Sequence, residues 1–242
     1  MGEMAKRPGV FLTAEWRNLL MLNYVVRPSL LESFLPVGME LDEFDGKTYV
    51  SLVGFEFNRT RVCGVPAPFH QAFEEVNLRF YVRRSSKRGV VFIRELVPKF
   101  AVAAIARFAF NENYSSVPMA HRIETRADGA VTEAEYAWSW GKNRFAMRIE
   151  TEGERFLPPD SSDSQFITEH NWGYAAQSDG GCLEYEVQHP RWNVWKAKTA
   201  GFTGNAARLY GDDVAQVLRH DPDSAFLADG SHVTVFKGRR IR

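Results

Sequence analysis

Residues 73–97 carry the pattern that most constrains the fold of this chain, because two segments of alternating apolar and polar residues flank a short basic turn. The first segment reads FEEVNLRFYVRR, the turn reads SSKRG and the second segment reads VVFIRELV. Alternation with a period of two is typical of half-buried strands, and a polar turn between two such segments predicts a β-hairpin. Pro98 ends the second strand, and the alanine-rich apolar run over residues 100–110 predicts a buried helix after it.

Alternate residues of the first strand point to opposite faces of this hairpin. The apolar face consists of Val76, Leu78, Phe80 and Val82, and the polar face consists of Glu75, Asn77, Arg79 and Tyr81. The polar face is either a solvated sheet surface with cross-strand pairs or the wall of a pocket. In a pocket, Glu75 acts as a general acid or base and Arg79 holds a substrate carboxylate, with Asn77 as a further substrate-binding candidate.

The rest of the chain is predicted to form antiparallel strands with a few short helices. Asp45-Gly46 predicts a hairpin turn between strands at 39–44 and 47–58, and an irregular stretch over 59–71 predicts a covering loop. Further strands are predicted at 16–26, 119–126, 131–140, 143–151, 183–189, 192–199 and 233–236. Short helices are predicted after Pro28, at 164–169 behind a Ser or Asp cap, and over 205–219 with a break near Gly211.

No repeat or flexible linker divides the sequence, so we predict one domain over residues 1–242 with flexible ends at about 1–10 and 238–242. The fold class is α+β, mainly antiparallel β, with helices at the periphery. An apolar content of 45% is sufficient for a packed core in a chain of 242 residues.

Composition excludes several classes of partner. The chain has 30 basic and 30 acidic residues, so it lacks the basic field that binding to nucleic acid or to an anionic membrane requires. Cys63 and Cys182 form neither a disulfide framework nor a zinc pattern, so we expect free thiols in a reducing cytoplasm. The N-terminal sequence lacks the apolar core of a secretion signal, and the longest apolar run is far shorter than the roughly twenty residues of a membrane span. We expect a cytoplasmic protein whose partner is a small molecule.

Lys99 stands at the start of the predicted buried helix. The partial positive charge of a helix N-terminus and the loss of water both disfavour an ammonium group at that position. Lys99 is therefore either a surface lysine whose amine reaches water or an amine kept partly neutral that attacks a carbonyl carbon to form a Schiff base.

Histidines and aromatic residues concentrate in the segments TEHNWGY at 168–174 and HPRW at 189–192. This density is typical either of a core with satisfied ring nitrogens or of a ligand pocket with apolar walls. In a pocket, His170, Tyr174 and His189 line the cavity. The six histidines show no metal-ligand spacing and no phosphate-binding glycine motif is present, so we predict neither a metal nor a cofactor.

Several ordered segments together resemble the YqjF-like family of uncharacterised bacterial proteins. They are AEWRNLLMLNYVV, LPVGMELDEFDGKTYVSLVGFEF, FHQAFEEVNLRFYVRR, GVVFIRELVP, TEHNWGY and VQHPRW, and the resemblance extends from about residue 11 to residue 240. That family in turn resembles the acetoacetate decarboxylase-like superfamily. The resemblance implies a mainly antiparallel, cone-like β-structure in which the strands of residues 119–151 close around an internal pocket.

Acetoacetate decarboxylase is similar in having an aromatic-x-Glu element and a later Glu-x-x-Gly-x-Pro-Lys-Lys segment. The matching positions here are 73–75 and 95–99, so the resemblance implies Glu75 as the pocket acid and Lys99 as the Schiff-base amine. Phe100 stands where the decarboxylase has a second lysine, and the glycine before the proline is missing. A cation that would lower the amine pKa is therefore absent from the sequence at that place. The resemblance also matches Arg17 with a substrate-binding arginine.

Two functions agree with these residues. In the first, the protein is a decarboxylase-like lyase that acts on a carbonyl-containing organic acid. Lys99 is then the nucleophile, Glu75 moves protons, and Arg79 or Arg17 binds a carboxylate. In the alternative, the protein is a non-catalytic small-molecule-binding or sensing domain that kept the cavity and lost the reaction.

A third interpretation concerns an interaction surface. Trp138 and Trp140 share one face of a predicted strand. If that face is exposed, it predicts an interface with a partner or with a second copy of the chain, that is, a homo-oligomer.

Overall fold

The structure is a computed structural model that describes residues 8–67, 70–98, 113–177 and 179–241. Within these ranges the strands are β1 (Val10–Val26), β2 (Glu40–Leu41), β3 (Thr48–Val62), β4 (Val65–Pro66), β5 (Phe73–Arg84), β6 (Lys87–Val97), β7 (Tyr114–Ser116), β8 (Met119–Thr125), β9 (Val131–Trp140), β10 (Asn143–Phe156), β11 (Trp172–Ala176), β12 (Cys182–Gln188), β13 (Val194–Thr203), β14 (Ser224–Phe236) and β15 (Arg239–Ile241). The helices in the same ranges are α1 (Asp163–Thr168), α2 (Ala207–Tyr210) and α3 (Asp212–Val217), with 3₁₀ turns at Pro28–Leu30 and Glu32–Phe34.

The strands of the described chain belong to one continuous sheet, and part of it closes into a barrel. The hydrogen-bonded order β12-β11-β6-β5-β3-β1-β14 returns to its first member, because β14 pairs with β12 as well as with β1. Most neighbours are antiparallel, whereas β6 runs parallel to β7 and to β11. Closure removes free sheet edges and encloses an interior that can hold side chains or a ligand.

The strands β13, β10, β9 and β8 continue from β14 and form a second layer on the outside of this barrel. Leu52 of β3 and Leu78 of β5 belong to the same buried apolar cluster as Tyr136 of β9 and Met147 of β10. The layers approach so closely at Gly54 that a Cβ atom there would lie 2.7 Å from Cδ2 of Tyr136. The main apolar core therefore lies between the barrel wall and the outer layer.

The hairpin predicted from residues 73–97 is confirmed, with Arg84 of β5 opposite Lys87 of β6. Its apolar face, Val76, Leu78, Phe80 and Val82, is buried in the core between the layers. The antiparallel meander predicted from residues 119–151 is confirmed as β8, β9 and β10.

The short helices also begin and end where local chemistry predicts. Ser162 caps α1, since its hydroxyl oxygen accepts a hydrogen bond from the Gln165 amide over 3.2 Å. Gly211, with a φ angle of 86°, separates α2 from α3, which confirms the break predicted near this residue.

Several elements differ from the prediction. β14 begins at residue 224 rather than 233, and its Gly230 lies opposite Arg17, next to the place where β1 bulges relative to β3 and Asn18 has a φ angle of 53°. β2 is short and pairs with β5, so that only a bridge between Phe44 and Lys47 remains of the predicted hairpin with β3. β11 was missed, because its five residues do not alternate in polarity.

The C-terminal residues expected to be flexible form β15, which pairs with β12. Arg239 of β15 donates a hydrogen bond to the buried carboxylate of Glu184 over 2.9 Å, which holds the strand in place. The predicted helix at 100–110 and Lys99 lie outside the described residues. In the part of the chain that the structure describes, no helix has the length and apolar character needed to cross a membrane.

The exposed tryptophan face that would mark an interface is not observed. Trp138 is 2% exposed, and its ring stacks on Phe145 at 5.6 Å and on Phe202 at 6.0 Å between centroids. Trp140 is partly buried against the same core. Both tryptophans are buried to this extent because their face of β9 packs into the main apolar core rather than facing solvent.

Candidate functional site

The interior of the barrel contains a cavity of about 300 Å³. Strands β1, β3, β5, β6 and β12 and the residues around the end of α1 form its wall. Among the described residues, none from β8, β9 or β10 reaches this wall. The expectation that residues 119–151 close around the pocket is therefore wrong, because those strands cover the barrel from outside.

One side of the cavity is aromatic. The Trp16 ring lies 5.1 Å from Phe55, 5.7 Å from Phe57 and 6.2 Å from Trp192, measured between ring centroids. His189 stacks on Trp192 with centroids 4.0 Å apart and ring planes 17° from parallel. Walls of this kind hold the apolar body of a small molecule, while a few polar groups orient it.

Another part of the wall is a row of polar residues from β5. Glu75, Asn77 and Arg79 all line the cavity, which agrees with the alternation of the strand. Glu75 and Asn77 are only 3% and 2% exposed, so this face is buried rather than solvated. The Asn77 amide donates to Oε1 of Glu75 over 2.9 Å, and the Tyr114 hydroxyl donates to Oε2 over 3.2 Å.

Burial dominates the acidity of Glu75. Loss of water raises its pKa to about 7, although the hydrogen bonds from Asn77 and Tyr114 and the charge of Arg79 favour the ionised form. Near neutral pH both protonation states are populated. A carboxyl group of this kind can donate a proton in one step and accept it in the next.

Arg79 is a cation in the cavity wall whose charge acts on the other ionisable groups there. Its Nη2 donates to the carbonyl oxygen of Ile167 over 3.4 Å, while its buried Nε has no hydrogen-bond partner in the described chain. Its charge lowers the pKa values of Glu75, His170 and His189. An arginine in this position can bind a carboxylate through its guanidinium group.

Glu95 is a second buried cavity acid that the strand pattern did not identify. It is 1% exposed and lies opposite Asn77 on β6. A β-bulge leaves Ile93 unpaired between Phe92 and Arg94, so Phe92 and Glu95, three positions apart, both line the cavity. Strict alternation places them on opposite faces, and only the match of Glu95 to the decarboxylase segment could have pointed to it.

His170, just after α1, forms the third polar part of the wall. Its Nε2 lies 2.9 Å from Oδ2 of Asp42, and Nε of Arg88 donates to the same oxygen over 2.7 Å. Its ring centroid lies 4.7 Å from Tyr81 and 4.8 Å from Phe166.

The charges of this pair follow from burial and hydrogen bonding. Burial lowers the pKa of His170 to about 4, against the opposing effect of Asp42. Burial favours neutral Asp42, but the hydrogen bonds from His170 and Arg88 outweigh it and lower the pKa of Asp42. Near neutral pH, Asp42 is therefore ionised and His170 is neutral.

His189 occupies the aromatic side of the wall. Its Nδ1 lies 2.9 Å from the carbonyl oxygen of Pro190, and burial lowers its pKa. The structure thus brings five of the predicted residues to one cavity: Glu75, Asn77, Arg79, His170 and His189.

Arg17 and Tyr174 do not belong to the cavity wall in the described part of the chain. Trp16 faces the interior, so Arg17 points to the other face of β1, where its Nη2 lies 3.1 Å from Oε2 of Glu15. Tyr174 is fully buried in the core between the layers, and its hydroxyl lies 3.5 Å from the carbonyl oxygen of Lys87. The predicted substrate-binding positions of these two residues are corrected accordingly.

Lys99 lies outside the described residues, two positions after Val97 ends β6. Cys63 is exposed and Cys182 is buried, both as free thiols. Within the described ranges, no group of three or more His, Cys, Asp or Glu side chains is arranged to hold a metal ion.

Comparison of the sequence with known proteins identifies one family. A model of DUF2071, described as an uncharacterized conserved protein, matches residues 13–232. The uncharacterized protein YqjF of Bacillus subtilis (strain 168) is 33% identical over 78 residues, and the match covers 32% of this chain and 32% of that protein. The resemblance inferred from the ordered sequence segments is confirmed.

Comparison of the structure identifies the fold. Acetoacetate decarboxylase from Legionella pneumophila superposes with a TM-score of 0.71 at 12% identity, over 100% of this chain and 91% of that chain. An acetoacetate decarboxylase-like enzyme from Sphingomonas wittichii RW1 gives 0.70 at 12% identity, over 96% and 93%. The enduracididine biosynthesis enzyme MppR complexed with pyruvate gives 0.70 at 13% identity, over 99% and 93%. The predicted fold, mainly antiparallel and similar to acetoacetate decarboxylase, is confirmed.

Proposed function

The chain belongs to the DUF2071 family of uncharacterized conserved proteins, and from this premise we propose that its cavity binds a small carbonyl-containing organic acid on which the protein acts as a lyase. One observation carries the proposal. A buried carboxyl group whose pKa is raised to about 7, that of Glu75, shares an aromatic-walled cavity with Arg79. Perturbed ionisable groups that converge in a pocket are typical of functional sites.

The ligand class is inferred from the charges and the size of the cavity. Arg79 supplies a cation whose Nε has no partner among the described residues, which favours a carboxylate as the anchoring group. About 300 Å³ accommodates a small molecule, and the aromatic wall favours an apolar body. A solved relative of the same fold is complexed with pyruvate, a small keto acid, which supports this class.

The proposed reaction uses Lys99 as the amine that the sequence resemblance implies. The amine adds to the carbonyl carbon and water leaves, which gives a protonated imine. In a β-keto acid, the bond between the α-carbon and the carboxylate then breaks, its electron pair moves into the protonated imine to give an enamine, and carbon dioxide leaves. Glu75 then delivers a proton to the remaining carbon, and water releases the product from Lys99.

The test is chemical trapping. The protein is incubated with pyruvate or acetoacetate and borohydride, and the mass adduct is mapped by peptide sequencing. We expect an adduct at Lys99 that is lost in Lys99→Met and kept in the matched control Lys47→Met, which changes an exposed lysine. No adduct with any keto acid would overturn the Schiff-base mechanism.

The second candidate function, a binding or sensing domain without turnover, is favoured by one specific feature. Phe100 follows Lys99 where acetoacetate decarboxylase has a second lysine, so the sequence lacks one cause of a lowered amine pKa. This candidate predicts that the same acids raise the melting temperature, that Arg79→Met abolishes the rise, and that no adduct or product forms.

A further inference from the structure

His170 lines the cavity and has a buried hydrogen-bond acceptor that no other group of the described chain uses. Its Nε2 lies 2.9 Å from a carboxylate oxygen of Asp42, and an ionised carboxylate only accepts, so Nε2 carries the hydrogen. The neutral ring then has a bare lone pair on Nδ1, and that buried nitrogen has no partner in the described chain. The side chain of His170 is 1% exposed, so bulk water does not satisfy it.

Asn77 presents a second acceptor of the same kind. Its amide nitrogen donates to Glu75, and its Oδ1 is buried and has no partner within the ranges that the structure describes. Both residues line the same cavity as Arg79. Leaving a buried acceptor unpaired is costly, so two of them at one cavity indicate a ligand that supplies donors.

We propose that His170 and Asn77 are specificity-determining residues that select acids bearing hydroxyl groups, by accepting hydrogen bonds from them while Arg79 holds the carboxylate. This inference rests on the proposed function, since it assumes that an acid enters the cavity. A bare keto or alkyl acid leaves both acceptors unpaired.

Asp42 has a positioning role in this scheme. By accepting from Nε2 it fixes the tautomer of His170, and Arg88 holds Asp42 through a hydrogen bond of 2.7 Å. Without Asp42 the ring hydrogen can move to Nδ1, which would turn the acceptor into a donor.

The experiment measures equilibrium binding of a matched pair of probes, 3-hydroxybutyrate and butyrate, by calorimetry. Wild-type protein is expected to bind the hydroxy acid at least about fivefold more tightly than butyrate. In His170→Phe, which keeps an aromatic ring beside Tyr81 and Phe166, the preference falls toward unity. In His170→Gln, whose side chain carries an acceptor oxygen, part of the preference returns.

A second measurement needs no ligand and no variant. Nitrogen-15 NMR of the labelled wild-type protein is expected to show His170 neutral near pH 7 with the hydrogen on Nε2. A hydrogen on Nδ1 would overturn the inference whatever the binding data show.

The outcomes separate this inference from the proposed function. If both acids bind, if Arg79→Met weakens both equally, and if the hydroxyl brings no advantage, the inference fails and the proposed function stands. If neither these acids nor keto acids bind, the proposed function fails and this inference fails with it. A preference that survives His170→Phe unchanged removes His170 from the scheme.

Discussion

The amide of Asn77 donates to Oε1 of Glu75 over 2.9 Å, although the two side chains are two positions apart on the same strand. This contact forms because both side chains project from one face of β5 into a cavity that excludes bulk water. It favours the ionised carboxylate, yet burial still raises the pKa of Glu75 to about 7. Because these effects together place the pKa of Glu75 at about 7, the folded protein gains or loses this proton within an accessible pH range.

Replacement of Glu75 by Gln is expected to change how stability depends on pH. The pKa of Glu75 is raised from 4.5 to about 7 in the folded protein, so the folded state binds more protons within that range. The contribution of Glu75 to stability is therefore present below about pH 4.5 and is lost as the pH rises through about 7. The unfolding free energy of the variant minus that of wild type should rise with pH by up to about 1.4 kcal/mol per unit. Urea unfolding across this range measures the difference, and a flat difference would contradict the prediction.

Replacement of His170 by Phe should also change how stability depends on pH, but in the opposite direction to the change expected for Glu75. The pKa of His170 is lowered from 6.5 to about 4, so the unfolded state binds more protons between these values. The wild-type protein gains stability from this residue as the pH rises from about 4 to 6.5, and the variant does not. The stability of wild type relative to the variant should therefore increase with pH in that range. The same urea series checks it, and a decrease would show that the ring is charged in the fold.

Replacement of Gly230 by Ala should be strongly destabilising. Gly230 has a φ angle of 78°, and a Cβ atom there would overlap the carbonyl oxygen of Trp16, a cavity residue on the neighbouring strand. We expect a loss of about 3 kcal/mol or more, because backbone must move to relieve the contact. Gly201→Ala on β13 is the matched control, since no atom of the described residues lies within 4 Å of its added Cβ atom, and it should change stability by less than about 0.5 kcal/mol. Equal effects of the two changes on the melting curve would argue against the bulge geometry.

Replacement of Glu184 by Gln should show that a buried ion cluster contributes more to stability than an exposed ion pair does. The side chain of Glu184 is 1% exposed and accepts from Lys87 over 2.6 Å and from Arg239 over 2.9 Å. Because both cations are partly solvated, we expect a loss of about 1–3 kcal/mol rather than the full cost of an isolated buried charge. Glu40→Gln removes one partner of an exposed pair with Arg83 and should cost less than about 1 kcal/mol. Thermal unfolding of both variants measures the contrast, and a larger loss for Glu40→Gln would be the contrary result.

The β5 row of the site could be predicted because it depends on a local rule. Alternation along one strand identified Glu75, Asn77 and Arg79 as neighbours on one face, and the structure brings them to the cavity wall. Glu95 could not be found in this way, since the bulge at Ile93 shifts the alternation of β6. Asp42 lies 128 positions from His170 in the chain, and no local pattern connects residues so far apart.

By itself, the sequence determined the strands whose polarity alternates, the Ser162 cap, the break at Gly211 and the family resemblance, because each depends on neighbouring residues or on ordered segments of the chain. Only the tertiary structure decided that β14 closes the barrel onto β12 and that residues 119–151 cover it from outside rather than lining its interior. It also decided that the polar face of β5 is buried. Burial depends on which strands meet across the whole fold, and the same alternating segment is half-solvated in one sheet and a cavity wall in another.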